Sequence, residues 1–184
     1  MLNEHLKSKK LEIQIESFEK TFKNSIEITW DKIKLLSEDA KFLSPIKVEF
    51  NLKKLKNGIE VYGTVDTELE LSCSRCLEKF NHKINGQFEA FYIKKEHMEL
   101  NEKEELSDLE NTIYYENSEI DLTERVIEAI ILAVPDIPLC KNDCKGLCPI
   151  CGENLNEHPD HNCEVEDIDP RFEKLKQLLD NNLD

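Results

Sequence analysis

The run IKVEFNLKKLKNGIEVYGTVDTELEL at residues 46–71 sets the fold class. Ile46, Val48, Phe50 and Leu52 share one parity, and Ile59, Val61, Val65, Leu69 and Leu71 share another, the two-residue period of strands buried on one face. Between them lies Lys56-Asn57-Gly58, and Asn-Gly readily supplies the positive φ angles of a tight hairpin. An antiparallel pair is therefore predicted.

Working outward, Phe80 to Ile93 places Ile84, Phe88, Ala90 and Tyr92 on one face, so a third strand can return beside the second after a turn at 73–79. LEIQI at 11–15 predicts a further strand, while 24–43 fits strand or helix, with Trp30 packed rather than functional. Residues 94–120 read as a long acidic loop. A helix follows: Asp121 can cap it with Glu124 reaching back, and Leu122, Val126, Ile127, Ile130, Ile131 and Val134 form an apolar stripe up to Pro135. A last helix is predicted from Asp169-Pro170 through Phe172, Leu175, Leu178 and Leu179.

The expected class is α+β. Residues 1–139 form an antiparallel sheet, which could curl toward a barrel, with a packed helix and the acidic loop at about 94–120. Residues 140–184 form a zinc-bound segment with a terminal helix docked on it.

A chain of 184 residues suits one core with small metal-held appendages. No stretch reaches the roughly 18–20 apolar residues of a membrane span, and MLNEHLKSKKLEIQIE lacks the apolar core of a signal peptide, which predicts a cytoplasmic protein. The formal net charge of -15 is uneven: residues 71–184 carry 26 acids against 12 bases, and 96–124 carry eleven acids against Lys103 alone. Such a field repels phosphate and favours a basic partner, which argues against a DNA-binding regulator.

Seven cysteines without an export signal read as metal ligands, because the cytosol keeps thiols reduced. Cys73-Ser-Arg-Cys76 and Cys148-Pro-Ile-Cys151-Gly152 are two knuckle-like turns. Their spacing lets both thiolates reach one tetrahedral ion while backbone N–H groups point at sulfur, and Gly152 permits the tight backbone. With Cys140, Cys144 and Cys163 the sulfurs fall one short of two four-donor sites, and His161 supplies an eighth donor. The favoured partition places Cys73, Cys76, Cys140 and Cys144 around one zinc, and Cys148, Cys151, His161 and Cys163 around another. Two alternatives remain open: a single C-terminal site that leaves Cys73 and Cys76 as reduced thiols, and His158 in place of His161.

CSRCLEKF at 73–80, EIDLTERVIEAIILAVPDIPLC at 119–140, CKGLCPICGENLN at 144–156 and DPR at 169–171 together resemble the YceD family of large ribosomal RNA subunit accumulation proteins. The likeness covers about two thirds of the chain and little of the first 45 residues. It implies a role in 23S rRNA accumulation or processing, hence in large-subunit assembly, and association with a small large-subunit ribosomal protein, number thirty-two. Many relatives carry two cysteines one residue apart where this chain has His161-Asn-Cys163, an exchange that keeps a zinc donor. The family pattern also implies that the first cysteine turn and the Cys140/Cys144 pair belong together.

On this reading the chain is a non-enzymatic assembly factor whose acidic half binds a basic ribosomal protein. Direct contact with precursor rRNA would fall to a local basic patch of Lys53, Lys54 and Lys56 with Arg75 and Lys79. The runner-up is an enzyme, either a zinc hydrolase or a CxxC thiol oxidoreductase. Closed four-donor sites and a cysteine pair set between strands rather than at a helix N-terminus both count against it.

Overall fold

The computed structural model describes residues 10–17, 19–36, 38–97 and 112–163. Its strands are β1 (Glu12–Gln14), β2 (Thr21–Ile28), β3 (Lys32–Lys34), β4 (Asp39–Phe42), β5 (Ile46–Lys54), β6 (Ile59–Ser72), β7 (Lys79–Lys94), β8 (Thr112–Tyr115) and β9 (Glu119–Asp121), followed by helix α1 (Thr123–Ala133).

The predicted hairpin is present. β5 and β6 pair antiparallel with Val48 opposite Val65 and Leu52 opposite Val61, and the Leu55 N–H donates to the Gly58 carbonyl at 2.8 Å across the turn. β7 then lies antiparallel along the whole of β6, from Ser72 opposite Lys79 to Ile59 opposite Tyr92. The other edge of β6 is shared, with β5 along its first half and β4 at Leu69 and Glu70. β2 extends the sheet beyond β5, β3 beyond β4, and β8 joins β7 in parallel. The sheet stays open among the described residues, because β2 and β8 lie on opposite sides and do not pair. This corrects the barrel option.

One open expectation is resolved and another is corrected. The ambiguous stretch 24–43 is extended, contributing to β2 and forming β3 and β4, with Trp30 buried edge-on against Phe42 at 6.1 Å. The segment 94–120 is not one long loop: a 3-10 turn at Lys95–His97, β8 and the first two residues of β9 lie within it. LEIQI does supply a strand, but β1 pairs with β9 in a separate ribbon rather than joining the main sheet. The terminal helix expected from Asp169 falls outside the described residues.

Helix α1 covers one face of β7 and β6. Val126, Ile127, Ala129 and Ile130 are buried, while Leu132 on the opposite side is 83% exposed. Each fully buried aliphatic side chain is worth about 1.5–3 kcal/mol, so this stripe is what holds the helix. The close approach depends on Gly86 of β7, where an added Cβ would stand 2.5 Å from the Ala129 carbonyl oxygen. The helix stops at Val134, whose backbone is extended before Pro135, as a residue preceding proline prefers. At its start the cap position is Leu122, one residue later than expected. Asp121 still serves the helix: its Oδ1 accepts from the Thr123 N–H at 2.8 Å and from the Thr123 hydroxyl. The Thr123 hydroxyl in turn accepts from the Leu11 N–H at 2.8 Å, tying β1 to the helix start.

Candidate metal centres

Cys73 follows the last residue of β6, so the turn that returns the chain into β7 carries the first cysteine pair. Its backbone is pinned twice: the Cys73 N–H donates to the Glu78 carbonyl at 2.9 Å, and the Leu77 N–H donates to the Cys73 carbonyl at 2.9 Å. The Cys148–Cys151 turn repeats the pattern, with Cys148 N–H to the Glu153 carbonyl at 2.7 Å and Gly152 N–H to the Cys148 carbonyl at 2.9 Å. Both turns place the residue after the second cysteine at positive φ. Gly152 has φ 78°, and Leu77 takes up 63° at the equivalent place. The glycine was legible in the sequence; the leucine was not.

Around these turns the eight predicted donors fall into two sets of four: Cys73, Cys76, Cys140 and Cys144, and Cys148, Cys151, His161 and Cys163. Within each set the ligand atoms all lie within 4.8 Å of one another. In the first set the Cys73 and Cys144 sulfurs are 3.7 Å apart, as are those of Cys76 and Cys140. Four sulfurs at about 2.3 Å from a tetrahedral zinc ion would stand about 3.8 Å apart, so this set fits a soft dication as it stands. Cys73, Cys76 and Cys144 are buried. The set links the sheet to the segment leaving α1, and a backbone bond from the Ser74 N–H to the Pro138 carbonyl at 2.8 Å reinforces the link.

In the second set His161 Nε2 lies 3.2 Å from Cys151 Sγ and 3.0 Å from Cys163 Sγ. A zinc-centred imidazole and thiolate would be about 3.6 Å apart, so this set needs an opening of a few tenths of an ångström. Cys151 is exposed and only Cys148 is buried, which makes this the more open of the two. His158 stands apart, its Nε2 3.2 Å from a Glu153 carboxylate oxygen, and belongs to neither set.

The thiols divide in their acidity. Burial opposes ionisation of Cys73, but backbone N–H groups of Cys140, Cys76 and Arg75 at its sulfur outweigh that and hold it down at about 6. Cys148 is likewise held at about 6, chiefly by the N–H groups of Cys151 and Ile150. Burial, then the neighbouring thiols, pushes Cys76 up to about 12; the sulfurs of Cys151 and Cys148 push Cys163 up to about 12. Without a cation each set keeps part of its protons, since several thiolates in contact repel one another. A bound dication removes that repulsion and would let every sulfur ionise.

The sequence-predicted basic patch does not form as one surface. Lys53, Lys54 and Lys56 lie where β5 turns into β6, whereas Arg75 and Lys79 lie beyond the far end of β6, roughly 45 Å away along a 14-residue strand. Lys53 sits 3.6 Å from Glu60 and Lys79 2.8 Å from Glu70. Arg75 serves the first cysteine set: its guanidinium donates to the Cys144 carbonyl at 2.8 Å. Sequence reasoning also missed Asn156, whose side-chain amide donates to Cys144 Sγ at 3.4 Å and whose Oδ1 accepts from the Lys145 N–H at 3.0 Å. No helix among the described residues is long and apolar enough to cross a membrane.

Comparison with known proteins places these features in a family. The family model for the large ribosomal RNA subunit accumulation protein YceD matches residues 61–179. An uncharacterized protein of Mycobacterium tuberculosis is 29% identical over 134 residues, covering 73% of this chain and 62% of its own length. The chloroplastic large ribosomal RNA subunit accumulation protein YCED homolog 1 of Arabidopsis thaliana is 26% identical over 158 residues, covering 73% of this chain and 49% of its own. Its Zea mays counterpart is 23% identical over 155 residues, 68% of this chain and 50% of its own. The chain therefore spans about half to three fifths of the length of these relatives. No solved structure matches it significantly. The match runs from within β6 through both cysteine sets and takes in most of the chain, and on that extent the chain belongs to the YceD family of large ribosomal RNA subunit accumulation proteins.

Proposed function

We propose that this protein is a non-enzymatic factor of large ribosomal subunit biogenesis that supports accumulation or processing of 23S rRNA, holds two structural zinc ions and acts in the cytoplasm by binding. The observation that carries the reading is the pair of four-donor sets in a chain of this family. Structural zinc closes its shell with four N or S donors, whereas catalytic zinc keeps a position open. Cys73, Cys76, Cys140 and Cys144 would hold one ion and Cys148, Cys151, His161 and Cys163 the other. Bound zinc supplies cross-linking free energy, on the order of 10–16 kcal/mol per structural site, as large as the whole stability of a typical domain. It would thereby fix the segment 140–163 to the end of the sheet.

Charge selects the class of partner. The chain carries a formal net charge of -15, and zinc with four thiolates contributes about -2 and with three thiolates and one imidazole about -1, so the loaded protein remains strongly acidic. A basic large-subunit ribosomal protein is the fitting partner, by electrostatic complementarity. Contact with 23S rRNA itself is left to lysines such as Lys56, now without Arg75 in the same surface. A thiol oxidoreductase is a poorer reading, because Cys73 and Cys76 are buried and follow a strand rather than opening a helix.

The test is genetic depletion followed by sucrose-gradient analysis of ribosomal subunits. A deficit of large subunits with accumulated 23S precursor is expected, restored by the wild-type chain and not by a Cys76→Ala, Cys144→Ala chain. A normal subunit profile after depletion would contradict the proposal.

A further inference from the structure

Residues 144–156 tie the two cysteine sets to each other. Cys144 of the first set and Cys148 of the second end one short stretch, Cys144-Lys-Gly-Leu-Cys148. Its middle is held against the first cysteine turn. Gly146, at φ 78°, brings its Cβ position within 3.2 Å of the Arg75 carbonyl oxygen, and the Arg75 guanidinium donates to the Cys144 carbonyl at 2.8 Å. The cysteine turn of the second set sits in a short hairpin, where Leu147 bridges Asn154 in the antiparallel sense and the Cys148 N–H donates to the Glu153 carbonyl at 2.7 Å. The return leg of that hairpin is fastened by the Leu155 N–H to the Gly146 carbonyl at 3.0 Å, and it carries Asn156 back to the first set.

There the Asn156 amide is engaged at both ends. Its Oδ1 accepts from the Lys145 N–H at 3.0 Å, while its Nδ2 donates to Asn154 Oδ1 at 2.9 Å and to Cys144 Sγ at 3.4 Å. The Lys145 N–H can only donate, so it fixes which end of the amide faces sulfur. Asn154 is held in turn: its Oδ1 also accepts from the Asn156 N–H at 3.0 Å, and its carbonyl accepts from the N–H groups of Glu157 and His158, on the path to the ligand His161. Glu78 offers the contrast. Cys76 Sγ donates to Glu78 Oε2 at 3.7 Å, a contact that needs the thiol proton and ends when metal displaces it. The Asn156 contact keeps its proton on nitrogen, so it survives ionisation of Cys144 and strengthens as the sulfur becomes an anion.

We infer that Asn156 is a positioning residue that couples the two metal centres: metal in the second set fixes the hairpin, the hairpin fixes Asn156, and the Asn156 amide stabilises the Cys144 thiolate that the first metal needs. The inference rests on the zinc reading of the proposed function and adds to it that the two sites do not fill independently. Coupling of this kind is reciprocal, so metal in either set raises the affinity of the other by the same factor. Groups that hydrogen-bond a metal ligand typically change metal affinity by about 10–100-fold, which sets the scale of the effect.

The test uses the full-length chain and cobalt(II) as the probe, since four thiolates and three thiolates with an imidazole give the ion distinguishable absorption spectra. Chelator competition reads the affinity of the first set in the wild type, in Cys151→Ser with Cys163→Ser, in Asn156→Leu and in the triple variant. Breaking the second set is expected to weaken cobalt at the first set by about tenfold or more. Asn156→Leu should cause a similar loss with the second set intact, and the triple variant should lose no more than either. In Asn156→Leu the sulfur-to-cobalt charge-transfer band of the first set should also move to lower energy, because a sulfur relieved of a hydrogen bond holds its electrons less tightly; a packing defect alone would not do this. Unchanged amide exchange in β5 and β6 shows that each variant keeps its sheet. First-set affinity indifferent to the second set, losses that multiply in the triple variant, or an unmoved band in Asn156→Leu would each overturn the inference. A wild-type chain that binds no metal removes the zinc reading and this inference together, whereas two ions bound independently remove only this one.

Discussion

Leu77 holds a φ of 63° with its side chain largely in solvent, at the position filled by Gly152 in the second cysteine turn. A leucine in left-handed backbone costs about 1–2 kcal/mol, and exposure leaves it little packing in return. Leu77→Gly should therefore raise stability by roughly 0.5–1 kcal/mol after the extra backbone entropy of glycine is counted, measured by urea unfolding of the metal-loaded protein. Gly86 presents the opposite case. Its Cβ position meets backbone of α1, which cannot swing aside like a side chain. Gly86→Val should destabilise by about 1–3 kcal/mol in the same assay, a typical cost of overpacking. All eight candidate donors could be found from the sequence, because thiolate spacing is dictated by the reach of two side chains to one ion. Leu77, Arg75 and Asn156 could not be assigned in the same way, since their contributions depend on which backbone groups lie nearby after folding.

Among elements, the long ones were legible. β5, β6 and the apolar face of β7 show enough alternating positions for a period to stand out, and the stripe of α1 runs over three turns. Most of the short strands show no such signal, the LEIQI stretch that holds β1 being the exception. β3 and β9 have three residues each, too few to repeat a period of two convincingly, and β1 reaches β9 across more than a hundred residues. Their positions are set by pairing partners rather than by their own patterns. The helix cap lay between these cases: the right carboxylate was identified, one position away from the geometric cap. Asp121→Ala removes acceptors for both the Thr123 N–H and its hydroxyl, and should cost about 1 kcal/mol, read from thermal or urea unfolding.

At the scale of the molecule, the first cysteine set brings the segment leaving α1 against the end of the sheet, and metal held by the two sets would make their stability sensitive to pH. Ligand sulfurs must be ionised to bind metal, so any stability conferred by bound metal would be present at neutral pH and lost as pH falls. Cys76 and Cys163, pushed up to about 12, hold protons at pH 7 that metal must displace; Cys73 and Cys148, at about 6, compete for protons only below that pH. Chelator competition should therefore show affinity falling on every step of acidification, and more steeply below about pH 6. The more exposed second set should yield its metal to the chelator first.

The most direct measurement is the metal content of the purified wild-type chain and of Cys76→Ala, by inductively coupled plasma mass spectrometry against protein concentration. Two zinc ions per wild-type chain, falling to one in the variant, are expected. A single equivalent that survives the substitution unchanged, or no metal at all, would contradict the two-site assignment.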